Sequence, residues 1–156
     1  MQADVLRVPV GPGAMHVERY GHGGTAVILI HGFATSSFLW RNVAPAITEA
    51  GHTAYALDLF GHGESDRPSD ADFGIAAQAE YLDAAMTAMR LSHAVIVGVD
   101  IGGDVAMRLA ATKPPALARR PAALPHASAT HRGHRGLAAL GDLLRRQVLD
   151  VRRDRP

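Results

Sequence analysis

Ala94-Val95-Ile96-Val97-Gly98-Val99-Asp100-Ile101-Gly102-Gly103-Asp104-Val105-Ala106-Met107-Arg108-Leu109-Ala110 decides how this chain is read. An apolar, β-branched run breaks at small residues and restarts as a helical pattern, with a carboxylate at the corner. A strand turns directly into a helix only where no Cβ crowds the corner, and Gly98 and Gly102 remove those atoms on either side of Asp100. The helix start behind the corner offers unpaired N–H groups and the positive end of a dipole, which favour a negative charge. The plain alternative is that Asp100 is an ordinary helix N-cap, since Asp commonly satisfies the first free N–H groups.

Two motifs upstream bear on the choice. Val27-Ile28-Leu29-Ile30-His31-Gly32-Phe33 is a continuous apolar run, as expected of a strand buried on both faces, ending in a His-Gly turn where backbone N–H groups can approach a ligand. Asp58-Leu59-Phe60-Gly61-His62-Gly63-Glu64-Ser65 closes another strand with a glycine-rich loop. Between and around these, the pattern predicts strands over 5–10 and 15–20 joined by the Gly11-Pro12-Gly13 turn, and further strands over 25–30, 52–59 and 94–99. Helices are predicted over 38–50, capped by Ser37, over 75–89 with Ile75, Ala79, Leu82, Met86 and Met89 on one face, and over 102–112. Strands alternating with helices imply an α/β fold with a parallel sheet.

Taken in order, the His-Gly turn, the Asp-x-x-Gly-His-Gly-x-Ser loop and the small-x-Asp-x-small-small corner resemble the α/β-hydrolase superfamily. The corner has the spacing of its nucleophile elbow, with Asp where serine hydrolases carry Ser. The segment from His31 to Asn42 resembles the haloalkane dehalogenase and coelenterazine-luciferase branch, and epoxide hydrolases and haloacetate dehalogenases share the Asp. The resemblance runs from about residue 4 to 113. It implies that Asp100 is the nucleophile, that the backbone N–H groups of Phe33 and Ile101 form the oxyanion hole, and that His31, Gly32, Gly98 and Gly102 belong to the loops of the substrate pocket. Asp58 through Ser65 would form a supporting loop. Haloalkane dehalogenases hold the leaving halide with an Asn after His-Gly and a Trp after the nucleophile. Here those positions are Phe33 and Ile101, whose side chains cannot donate to halide. The implied activity is therefore hydrolysis through an aspartyl ester, with epoxides or small halogenated acids ahead of haloalkanes. The substrate class is a small electrophilic molecule, and no cofactor or metal is implied.

In the families resembled, the catalytic His and its orienting acid follow later strands, and 56 residues remain after Asp100. His126, His131 and His134 are the only histidines after the corner, and no carboxylate or strand signal near them supports a base or a metal site. The expectation is an α/β-hydrolase fold truncated after the elbow, over 1–113, followed by an Arg-, Pro-, Ala- and His-rich tail over 114–156. The other reading is a catalytically inactive fragment, or an interaction module whose basic tail is the working part.

Charge supports the division. Residues 1–113 carry a net −5 and 114–156 a net +6, with Lys113-Pro114-Pro115 at the join. One amphipathic helix is predicted in the tail, over 137–151, and the rest reads as extended or disordered. The tail has no aromatic residue to stack on bases, so no specific nucleic-acid partner is expected. No apolar run approaches the length of a membrane span, and the first residues lack a secretory pattern, so a cytoplasmic protein without a membrane partner is expected. With no cysteine, thiol nucleophiles, disulfides and cysteine-based zinc sites are excluded. A sheet that stops at the elbow would leave 94–99 as an exposed apolar edge, and self-association through it is expected.

Overall fold

The computed structural model describes residues 2–113 and the backbone of Val148–Arg152. Its strands are β1 (Asp4–Val10), β2 (Gly13–Tyr20), β3 (Ala26–Ile30), β4 (Thr53–Leu57), β5 (His93–Gly98) and β6 (Val148–Arg152). The helices are α1 (Ala44–Glu49), α2 (Ile75–Ala88) and α3 (Ile101–Thr112). One sheet runs in the order β1-β2-β4-β3-β5-β6. Its centre is parallel, β4 to β3 to β5, while β1 and β2 form an antiparallel hairpin that joins β4 antiparallel. This is an α/β architecture with a parallel centre, the class that the alternating pattern predicts.

The unbroken apolar run of β3 has a direct structural cause. Successive side chains of a strand point to opposite faces. Ile28 and Ile30 join the core beneath α2 and α3 with Leu57, Leu82, Met86, Ile96, Val105 and Leu109. Val27 and Leu29 join the opposite core with Trp40, Ala44, Ile47, Ala54 and Val97. Helices cover both faces, so neither side of β3 can be polar. Each fully buried Ile, Leu, Met or Val side chain among them contributes about 1.5–3 kcal/mol of transfer free energy.

Two elements differ from the sequence reading. The helix predicted over 38–50 is divided into a 3-10 turn, Ser37–Trp40, and the short α1. Pro45 lies in the first turn of α1, where its missing N–H costs nothing and its fixed φ starts a helix afresh. The predicted Ser37 cap is not made, because Ser37 lies inside the 3-10 turn and no side chain caps it. The second difference is in the tail. Val148–Arg152 is a strand, antiparallel to β5 with Val97 opposite Val148 and His93 opposite Arg152. The helix predicted over 137–151 therefore does not include 148–151, and β5 is not an open edge. The unpaired N–H and C=O groups along β5 offer that segment a ladder, and strand pairing outweighs a weak helical periodicity. Residues 114–147, including most of the predicted helix and the three tail histidines, lie outside the described residues.

Candidate active site

The site grows from the ends of the three parallel strands. At the end of β5 the chain turns into α3 through Asp100, whose backbone sits at φ 55° and ψ −126°. A non-glycine residue there is strained by about 1–3 kcal/mol, and such strain persists only where the surroundings hold it. The surroundings are the two glycines. A Cβ on Gly98 would lie 2.2 Å from the Gly102 carbonyl oxygen, and one on Gly102 would lie 2.5 Å from that of His31. The corner is therefore locked against the turn that follows β3, with the Val99 N–H donating to the Ile30 carbonyl at 3.2 Å.

Asp100 is exposed, and its side chain makes no capping bond to α3. Instead Oδ2 accepts a hydrogen bond from the Phe33 N–H at 2.8 Å. The ordinary N-cap role is thus not the one adopted. Phe33 presents that N–H from a tight turn in which the Thr35 N–H and hydroxyl both donate to the Gly32 carbonyl, with Ala34 at φ 55°. Gly32 permits the approach, since a Cβ there would lie 3.1 Å from the Asp100 Cβ. Ile101 opens α3 directly after Asp100, which places its N–H among those of the first helical turn that have no acceptor within the helix.

His31 and Asp58 are buried beneath this surface. The Leu59 N–H donates to His31 Nε2 at 3.0 Å, so Nδ1 carries the ring proton and donates to the Gly32 carbonyl at 2.7 Å. Nε2 thus joins the turn after β3 to the loop after β4, while Nδ1 is engaged within that turn. Burial holds the His31 imidazole below its ordinary pKa of 6.5, against the opposing pull of the Gly32 carbonyl and the Asp58 charge. Asp58 accepts the Ser37 N–H at 2.5 Å through Oδ1 and the Glu64 N–H at 2.8 Å through Oδ2. The Ser65 hydroxyl donates to the Asp58 carbonyl and accepts the His16 N–H. His62 lies on the same loop with its ring centroid 5.4 Å from that of His31.

Protonation of His31 favours the unfolded chain, where the ring is solvated. Its contribution is therefore intact above about pH 6.5 and is lost as pH falls from there toward the lower folded-state value. The fall in Tm between about pH 7.5 and 5.5 is expected to be smaller in His31→Gln than in the parent chain, as calorimetry at the two values would show.

Three supports were not singled out from sequence. The buried Gln78 amide grips Phe60, donating to its carbonyl at 2.7 Å and accepting its N–H at 3.1 Å. A polar residue three after Ile75 and next to Ala79, on the apolar stripe of α2, was the available signal. Arg67 donates to the Gly61 and Gly63 carbonyls, and Arg7 pairs with Asp66 and the Glu64 carbonyl. The Ala14 N–H and the Arg7 guanidinium hold the Asp66 carboxyl below the usual range. Among the described residues no three His, Asp or Glu side chains are placed to hold a metal ion, and no helix is long and apolar enough to cross a membrane.

Asp100 is thus an exposed carboxylate on a strained strand-to-helix corner, with a backbone donor on one oxygen. The chain belongs to the α/β-hydrolase fold family, whose model matches residues 25–120. It is 34% identical over 108 residues to a haloalkane dehalogenase of Mesorhizobium japonicum, covering 69% of this chain and 34% of that one. It is 36% identical over 102 residues to an epoxide hydrolase of Caballeronia sordidicola, covering 65% and 31%. Among solved structures, an epoxide hydrolase from an endophytic Streptomyces superposes with a TM-score of 0.67 at 33% identity, over 72% of this chain and 34% of that one. An epoxide hydrolase from Vigna radiata superposes with a TM-score of 0.68 at 25% identity, over 77% and 41%. The chain thus spans about a third of the length of these curated relatives.

Proposed function

We propose that Asp100 is a nucleophile toward small electrophiles of the epoxide or halogenated-acid class, within an α/β-hydrolase frame. The observation that carries this reading is the 2.8 Å hydrogen bond from the Phe33 N–H to Oδ2 of an exposed, strained Asp100. A carboxylate is already ionised near neutral pH and needs no general base for the first attack. With Oδ2 engaged by Phe33, Oδ1 is the oxygen available to attack. Its lone pair forms a bond to an epoxide carbon, the ring C–O bond breaks, and the resulting alkoxide takes a proton from water. The product is an aspartyl ester whose carbonyl oxygen, Oδ2, faces the Phe33 N–H, and the first N–H of α3, at Ile101, supplies the second donor.

Hydrolysis of that ester passes through an oxyanion on Oδ2, which these donors favour, but it also needs an activated water. Among the described histidines near the site, His31 has both nitrogens committed and is held neutral by burial. Epoxides rank ahead of haloalkanes because ring opening releases no halide, and neither the Phe33 nor the Ile101 side chain can donate a hydrogen bond to one.

The test is intact-mass spectrometry of the chain incubated with a reactive aryl epoxide. The expected result is a gain of one substrate mass that reaches a plateau without sustained diol formation, and no gain in Asp100→Ala. Absence of an adduct in the parent chain would overturn the nucleophile assignment.

A further inference from the structure

We propose that Val148–Arg152 is a removable latch on the β5 edge, and that the partner it holds off is the β5 strand of a second copy of this chain. β5, His93–Gly98, is apolar toward both faces of the sheet: Ala94 and Ile96 sit in one core and Val97 in the other. It contains no Pro, Lys, Arg, Asp or Glu, so it lacks the residues with which edge strands are ordinarily protected against pairing. A six-residue, β-branched, weakly charged segment is also the pattern that pairs with copies of itself.

The direction of β6 identifies the competitor. β3 pairs with β5 in parallel, whereas β6 pairs antiparallel, in a register of five residues from His93 opposite Arg152 to Val97 opposite Val148. The outer edge of β5 therefore accepts an antiparallel neighbour. Two copies of one edge strand paired about a two-fold axis perpendicular to the strand run antiparallel, and two-fold dimers are the commonest assemblies of like chains. β6 and the β5 of a second copy thus compete for the same row of N–H and C=O groups. The sequence of β6 includes Asp150 and Arg152, so the edge strand that replaces β5 carries charge where β5 carries none.

Register makes the latch testable in the full chain. His93 is exposed and directly opposite Arg152, and directly paired antiparallel residues have Cα atoms about 4.5–5.5 Å apart, within disulfide reach. The chain has no cysteine of its own. The double variant His93→Cys with Arg152→Cys is expected to form an intrachain disulfide and to remain monomeric by light scattering at every concentration. The full chain carrying Leu149→Pro and Val151→Pro, which removes ladder donors from β6, is expected to double its apparent mass as concentration rises while keeping its circular dichroism. Three results would overturn the proposal. They are a proline variant that stays monomeric, one that loses its circular dichroism and so shows the strand to be part of the fold, and a dicysteine variant that crosslinks between chains or not at all.

Discussion

Gly98→Ala is expected to destabilise the protein by more than about 4 kcal/mol, lowering Tm by roughly 10 °C or leaving the chain unfolded. The added Cβ would meet the Gly102 carbonyl oxygen at 2.2 Å, its carbonyl carbon at 2.3 Å and the Gly103 nitrogen at 2.6 Å. All three are backbone atoms of the helix start, so no rotamer change relieves the clash. α3 must move away from β5, and with it go Val105, Ala106 and Leu109, which the core between α2 and α3 buries. Gly103→Ala is the control. A Cβ there meets nothing nearer than 3.7 Å, inside a helix where Gly costs about 0.5–1 kcal/mol relative to Ala. Thermal melts of the two variants should therefore move in opposite directions. Equal and small shifts would contradict the close packing of the corner.

Asp58→Ala is expected to cost about 2–4 kcal/mol, seen as a lower urea midpoint with an unchanged slope. The carboxylate is 1% exposed and serves the Ser37 and Glu64 N–H groups, one from the turn after β3 and one from the loop after β4. Alanine leaves the buried Ser37 N–H and the partly buried Glu64 N–H without that acceptor. Asp58→Asn should lie between the two, because its oxygen can keep one donor while its NH₂ opposes the other. Gly63 packs directly on the carboxylate, since a Cβ there would be 2.0 Å from Oδ2, so alanine opens a gap beside the loop. The effect should reach the site as well, since Ser37 follows four residues after Phe33.

The motifs at the strand ends could be read from sequence because each has a local physical cause. The run 26–30 is apolar at every position since helices cover both faces of β3, and the glycines at 98 and 102 mark a corner that no other residue fits. Where an outcome depended on residues distant in the chain, sequence was a poorer guide. The periodic face of 38–50 concealed the restart at Pro45. Gln78 could be seen to interrupt the apolar stripe of α2, but its grip on Phe60, 18 residues away, belongs to the folded chain. The periodicity of 137–151 favoured a helix, and only the unpaired row of β5 explains the strand at 148–152. Asp100 shows both limits at once. Its position at a helix start was plain, whereas the choice between capping α3 and receiving the Phe33 N–H is made by the turn after β3, 67 residues earlier.

The most direct test of the account is where an epoxide label lands. Fragmentation of proteolytic peptides from the labelled chain should place the added mass on Asp100, as an ester released by hydroxylamine. Asp104, Asp66 and the other carboxylates of the described residues should stay unmodified. Label spread over several surface carboxylates, or confined to one other than Asp100, would contradict the assignment of the strained corner as the reactive centre.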